Sequence, residues 1–443
     1  MNILSSNVLY LVYALPLLGV FMWALRKKSA LEIKSHETWE ESQEAGLIHP
    51  PSLHPVIDPL KCIGCQSCIH ACPEFPAHQV LGLVNHKAIL SSPTDCIGHG
   101  ACQQVCPVGA ISLVFGTAER GVDIPDVNSD FSTNVPGIYI AGELGGMGLI
   151  RNAIMQGCQA IDSVAQSITE KQSDKDVFDV LIVGSGPAGI AASLGAMQHK
   201  LSYCTLEQNS LGGTVANFPR GKIVMTQPVD LPIVGKMSFQ ETTKEKLIEF
   251  WKKVQMDTGM QVQYGTRFTG IESRIDGVFT VNTDKGSFRA KNLLLALGRR
   301  GTPRKLGVPG EEQNKVTYAF VDPTQYRGQS VLVVGGGDSA LEAACTIAEE
   351  DNTHVTLSYR SDAFARAKKR NRSRIESMIA LGNIKVLLES NLNKIEPNEV
   401  HINHKGEVLK LDNDAAIICA GGLPPNALLK DMGIVVETKH GVA

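Results

Sequence analysis

Residues 179–207, DVLIVGSGPAGIAASLGAMQHKLSYCTLE, restrict the fold more than any other stretch. An apolar run at 180–183 leads into Gly184-x-Gly186-x-x-Gly189, then an Ala-rich segment, then a second apolar run ending at Glu207. Strand, glycine turn, helix and strand with an acid at that distance form the βαβ unit that binds a dinucleotide. Gly184 permits the tight turn, Gly186 lets the backbone approach a pyrophosphate, and Gly189 lets helix and strand pack closely. Glu207 is placed to accept hydrogen bonds from a ribose.

A second unit opens after residue 329, where SVLVVGGGDSALEAACTIAEE carries Gly335-x-Gly337-x-x-Ala340 behind an apolar run. The next predicted strand, 354–358, ends at Tyr359-Arg360-Ser361. An acid there would bind the ribose of NAD(H), whereas Arg360 suits the 2′-phosphate of NADP(H). The basic run of Arg366, Lys368, Lys369, Arg370, Arg372 and Arg374 could help hold that phosphate, face anionic lipid, or be a solvated helix face.

Of eleven cysteines, seven fall between residues 62 and 106. Cys62-x-x-Cys65-x-x-Cys68-x-x-x-Cys72-Pro73 is the run of bacterial-type ferredoxins, in which three thiolates grip one 4Fe-4S cluster and the fourth reaches the other. The second run, Cys96-x-x-His99-x-x-Cys102-x-x-x-Cys106-Pro107, has His99 in place of a cysteine. Crossing the fourth ligands assigns one cluster to Cys62, Cys65, Cys68 and Cys106, and the other to Cys96, His99, Cys102 and Cys72. His99 has three readings: an iron ligand, a bystander beside a three-iron cluster, or the mark of a lost cluster. Ligation is favoured, because imidazole suits iron and one neutral nitrogen in place of a thiolate should raise the potential.

The segment STNVPGIYIAGE at 132–143 resembles the closing segment of thioredoxin-reductase-like flavoproteins. The resemblance implies that Gly142 and Glu143 meet the ribityl chain and pyrophosphate of FAD, that Gly212, Gly213 and Thr214 are the family's flavin-contacting GGT, and that the protein is a homodimer. In that family the segment follows the nicotinamide domain. Here it precedes the first glycine motif, and the chain stops at Ala443 where it would be expected. A circular permutation is inferred. The family's redox CxxC is missing: 317–321 reads TYAFV.

Residues 8–25 are apolar, no charged side chain precedes residue 26, and Arg26, Lys27 and Lys28 follow. That pattern predicts a single transmembrane anchor with the remainder on the cytoplasmic side of the inner membrane. The net charge of −3 provides no general attraction for nucleic acid.

The expected fold class is α/β: two Rossmann-like dinucleotide-binding domains, for FAD and NAD(P), circularly permuted, plus a small α+β two-cluster ferredoxin domain and one N-terminal transmembrane helix. The expected boundaries are 1–28 anchor, 29–59 linker, 60–112 ferredoxin domain and 113–168 permuted piece of the FAD domain. They continue as 177–305 FAD domain, 306–423 NAD(P) domain and 424–443 return into the FAD domain, with 169–176 a charged connector. No insight attaches to 219–236. The parts predict a membrane-tethered NAD(P)H oxidoreductase passing electrons through FAD and two clusters to or from a protein or membrane electron carrier. No side chain need act as acid or base, since the flavin takes the hydride. The alternatives are a flavin-dependent reductase of a small organic substrate and a redox-sensing membrane protein.

Overall fold

The structure is a computed structural model and describes residues 2–44, 47–50, 53–76, 78–119, 121–146, 148–168, 176–225, 228–239, 241–299, 302–320, 322–365 and 367–441. Most side chains of 2–28, and the connector residues 169–175, lie outside the described residues. The chain divides into two compact units, Met1–Arg120 with Gly441–Ala443, and Gly121–His440.

In the first unit, Asn2–Glu44 is one continuous helix. Its later half is built into the unit. Leu31 packs on the core around Cys62, Ile69 and Leu83. Glu32 accepts the backbone N–H of His86 at 2.8 Å, and the Gln79 amide donates to Ser35 at 2.7 Å. Among the described residues no helix is long and apolar enough to cross a membrane. This overturns the anchor expected at 1–28 and, with it, the expected single-pass placement in the inner membrane. The helix does not end at the basic residues 26–28 to release a separate domain. It continues as a polar, partly buried helix that packs on the hairpin Leu81–Val84 and Lys87–Leu90.

The linker expected at 29–59 is also corrected. It is helix to Glu44, and His54–Ile57 pairs antiparallel with Ile111–Val114. Between those strands the two cysteine runs repeat one local conformation. Gly64 and Gly98 both have positive φ, and Gln66 and Gly100, both left-handed, open the short helices Ser67–His70 and Ala101–Gln104.

In the second unit, six strands of a seven-stranded sheet run in the order Val262–Tyr264, Tyr203–Glu207, Val177–Val183, Gly286–Leu295, Val278–Thr283, Phe268–Ile275, and the seventh, Ile138–Ile140, joins beside Gly286–Leu295. Gly286–Leu295 is hydrogen-bonded along one edge to Val177–Val183. On its other edge the antiparallel partner leaves at Ala290, and Ile138–Ile140 takes over in parallel at Leu293, Leu294 and Leu295. Behind Ile138–Ile140, helix Ile150–Ser167 packs on helix Pro187–Gln198 so closely that a Cβ on Gly157 would lie 2.2 Å from the Ala188 carbonyl oxygen. The end of the chain returns here: Val436–Lys439 pairs antiparallel with Val122–Pro125, and Asn134 hydrogen-bonds Gly433 and Val435.

The second glycine motif heads a five-stranded parallel sheet in the order Val316–Thr317, Ala415–Ile418, Ser330–Val334, His354–Ser358, Ile384–Leu387. A three-stranded antiparallel sheet, Ser390–Ile395, Glu399–His404 and Glu407–Asp412, follows it. The segment 219–236 begins a pair of hairpins, Ile223–Met225 with Glu241–Thr243 and Val229–Leu231 with Gly235–Met237. Lys222 and Arg220 bridge from it to Glu342 at 2.7 Å and to Asp322 at 3.5 Å on the nicotinamide side.

Gly157→Ala tests the helix contact. Alanine gains up to about 1 kcal/mol in helix propensity, but displacing a backbone carbonyl costs about 1–3 kcal/mol. The clash should win, and the melting midpoint of the full chain should fall by roughly 2–5 °C. An unchanged or raised midpoint would contradict the close approach.

Candidate functional site

The first glycine turn brings several expected residues together. Gly184, at φ 105°, donates its N–H to Leu206 at 2.8 Å and passes so close to Ala296 that a Cβ would meet its carbonyl oxygen at 2.5 Å. Nothing lies within 4 Å of a Cβ on Gly186, so the first turn of helix Pro187–Gln198 opens on free space. A Cβ on Gly189 would run into the Gly184 carbonyl at 1.8 Å, which is the close helix-to-strand packing the motif requires. The Gly212 N–H donates to the Ser185 carbonyl at 2.9 Å, and Gly213 stacks against Gly186, with Thr214 exposed beside them.

From the other side, Gly142 packs on Ala188 in that same first turn, its N–H held by Gln156 at 2.8 Å. Glu143 lies against Gly148 and Gly298. An open cradle of backbone at a helix N-terminus, edged by Gly142 and Gly213, fits the pyrophosphate of FAD. Glu207 is buried at the strand end. Its carboxylate accepts the Ser185 N–H and hydroxyl at 2.8 and 2.9 Å and the Asn209 N–H at 2.8 Å. A carboxylate has about four acceptor positions, so room is left for a ribose hydroxyl. Ser185 and Gln156 were not foreseen, because nothing in a sequence marks a side chain that acts through a tertiary contact, and Asn209 contributes only a backbone N–H, which any residue but proline could supply.

At the second turn the Gly335 N–H donates to Ser358 at 2.9 Å, Ala340 is buried against it, and Gly337 faces open space. Arg360 is exposed just past His354–Ser358. Asp338 accepts the Lys368 N–H and the Asn371 amide, both at 2.8 Å, and so fixes the start of the basic helix Lys369–Ala380 beside the turn. Within that basic run, Arg374 is paired with Glu349 at 2.6 Å, and Arg366 lies outside the described residues.

In the first unit the eight expected iron ligands sort into two cavities. Cys62, Cys65, Cys68 and Cys106 line one, with Ile57, Ile63 and Ile111. Cys72, Cys96, His99 and Cys102 line the other, with Val80, Leu81 and Leu113. Burial pushes Cys68 and Cys96 up to about 12, with neighbouring cysteines adding to the shift. Cys72 and Cys102 are raised by burial as well. Cys65 goes the other way, lowered by hydrogen bonds from Ser67. Several sulfurs in one apolar hollow therefore need a cationic centre to exist as thiolates, which an iron cluster provides.

Four ligands on one zinc would sit about 3.8 Å apart at a metal–sulfur distance of about 2.3 Å. Among the described residues, the one group of three whose ligand atoms lie within 4.8 Å of one another is Glu396, Glu399 and His401, far along the sequence in the second unit. Neither cysteine set forms such a group, so neither has the close spacing that a single zinc requires. Backbone N–H groups of Ala88 and Ala110 point at Cys62 and Cys106 sulfurs at 3.4 and 3.2 Å, and the Ala101 N–H donates to His99 Nδ1 at 3.3 Å.

Burial acts in the same direction on the cysteines outside the cavities. Burial raises Cys158, Cys204 and Cys345 to about 11 and Cys419 to about 12. None forms a disulfide.

Residues 54–107 match the 4Fe-4S dicluster domain. The chain is 29% identical over 271 residues to a ferredoxin–NADP reductase of Ignicoccus hospitalis, covering 59% of this chain and 83% of that one. It is 22% identical over 267 residues to bacilliredoxin reductase Bdr of Bacillus subtilis, covering 59% and 82%. The fold resembles that of the bacillithiol disulfide reductase Bdr of Staphylococcus aureus, with a TM-score of 0.51 at 21% identity over 58% of this chain and 80% of the other. Residues 181–442 match the pyridine nucleotide-disulphide oxidoreductase family. That span is more than half of the chain, and the protein belongs to this family as an FAD-dependent NAD(P)H oxidoreductase joined to a 4Fe-4S domain.

Proposed function

We propose that the protein transfers electrons between NADPH and a one-electron carrier protein by way of FAD and two 4Fe-4S clusters. The observation that carries this reading is the sorting of eight ligands into two cavities, each holding the crossed set that a two-cluster ferredoxin uses. When bound, FAD supplies the exchange between the two-electron chemistry of a nicotinamide and the one-electron chemistry of iron-sulfur clusters.

The chain's own residues hold and orient. Gly184, Gly186, Gly189 and Gly142 frame the pyrophosphate of FAD, Glu207 the ribose, and Gly212, Gly213 and Thr214 the flavin side. Gly335, Gly337 and Ala340 admit NADPH, with Arg360 on its 2′-phosphate. His99 completes the second cluster in place of a thiolate. Thiol chemistry has no place in this reading, since Cys158, Cys204, Cys345 and Cys419 are all free cysteines whose thiols burial pushes upward. A relative named ferredoxin–NADP reductase supports a protein carrier as the partner.

The domain plan belongs to the same proposal. The FAD domain is circularly permuted, with 121–168 and 424–440 completing the part built from 177–305, and 306–423 binding the nicotinamide; the first residues of the expected 113–168 piece belong instead to the first unit. Support comes from Ile138–Ile140 on Leu293–Leu295 and from Val436–Lys439 on Val122–Pro125. The dicluster part begins ahead of residue 60, since His54–Ile57 is one of its strands.

Cys102→Ser should cut iron per chain by about half and remove one reduced-cluster EPR signal, while NADPH still bleaches the flavin. Unchanged iron would reject the ligand assignment. Arg360→Ala removes a charge-assisted hydrogen bond of about 1.5–3 kcal/mol, so kcat/KM for NADPH should fall roughly ten- to hundred-fold with NADH little affected. Equal losses for both nucleotides would reject a 2′-phosphate contact.

A further inference from the structure

The two cysteine runs repeat at an interval of 34 residues (96 − 62), so each position of the first ligand loop has a counterpart in the second. Their backbones agree, with Gly64 matching Gly98 and Gln66 matching Gly100 in left-handed conformation. Their surroundings differ sharply. Leu60 is 94% exposed, and its counterpart Thr94 is 5% exposed. Lys61 is exposed, and its counterpart Asp95 is buried. Cys65 is the exposed cysteine among the seven, and its counterpart His99 is half-buried.

Around Cys65, Ile63 and Val108 line the same cavity and are themselves exposed, so apolar surface borders a ligand that reaches solvent. Such surface beside a water-accessible ligand is a cost to a free protein and an asset to one that docks transiently. The charges at its rim point one way. Lys61 pairs with Asp58 and is the outward member, 63% against 38% exposed, and the His86 ring faces outward from Glu32, 78% against 21%. Asp58 is turned back to accept the Leu60 N–H at 2.9 Å, and Glu32 to accept the His86 N–H at 2.8 Å.

We infer that the loop from Leu60 to Cys65 is the port through which the Cys62, Cys65, Cys68 and Cys106 cluster exchanges electrons with its carrier, and that the carrier is an acidic protein with an apolar contact face. The inference rests on the proposed electron-transfer function. The ligand loop of the other cavity is covered at the equivalent positions Thr94 and Asp95, and offers no such port. For each NADPH oxidised, NADP⁺ and one proton are released. Two electrons leave singly through the port, and two carrier molecules are each reduced by one electron.

The test uses the full chain with both clusters in place and a plant-type 2Fe-2S ferredoxin as acidic probe, with basic cytochrome c as comparison. The variants are Leu60→Glu and Lys61→Glu. Both residues are exposed, and iron content and EPR spectra check that the clusters are retained. The expected result is a loss of about five-fold or more in ferredoxin reduction rate for each variant, with a wild-type rate that falls as salt is raised. NADPH bleaching of flavin and NADPH reduction of the clusters should be unchanged. Unaltered ferredoxin rates in both variants, with clusters still reduced by NADPH, would overturn the port alone. A wild type that prefers cytochrome c, or whose rate rises with salt, would overturn the acidic partner. Clusters that NADPH never reduces in the wild type would overturn the electron-transfer function and the port with it.

Discussion

Strand Gly286–Leu295 is hydrogen-bonded on both edges over its last three residues, and the flavin side of the molecule depends on that arrangement. One edge holds Val177–Val183, which ends in the glycine turn; the other holds Ile138–Ile140, which ends at Gly142. All three strands run in parallel, so their carboxyl ends lie together, which is where open α/β sheets bind ligands. Removing Ile138–Ile140 would leave Leu293, Leu294 and Leu295 with an open edge in the middle of an apolar core. The pairing that completes the sheet also delivers Gly142 to the start of helix Pro187–Gln198.

The dicluster unit is governed by a different constraint, the cost of holding sulfur charge in apolar surroundings. Cys68 and Cys96 are pushed up to about 12 because burial and neighbouring cysteines both oppose ionisation. The unit tolerates this because iron, once bound, supplies the compensating charge, so folding and cluster loading are linked. The long N-terminal helix takes part in the same packing through Leu31 and Ser35.

The glycine motifs and cysteine runs were readable because their chemistry is local. Gly184 must adopt a positive φ and Gly189 must lack a side chain, whatever surrounds them. The N-terminal helix was misread for the opposite reason. An apolar run followed by Arg26, Lys27 and Lys28 has the composition of an anchor, but composition cannot say that the helix runs on to Glu44 and packs on a hairpin. The strand His54–Ile57 was hidden in an apparent linker because its partner, Ile111–Val114, lies on the far side of both cysteine runs.

The sequence by itself determined the local chemistry: two dinucleotide turns and two cysteine runs of a 4Fe-4S domain, the second with His99 in place of a cysteine. These follow from residue type and short spacing, which fix backbone conformation and donor atoms within a few residues. Only the tertiary structure decided which cysteines share a cavity, which strand completes the sheet, what Glu207 is bonded to, and which ligand loop reaches solvent. Those depend on contacts between residues far apart in the chain. Leu60 and Thr94 stand at equivalent places in the repeat and differ in exposure for that reason.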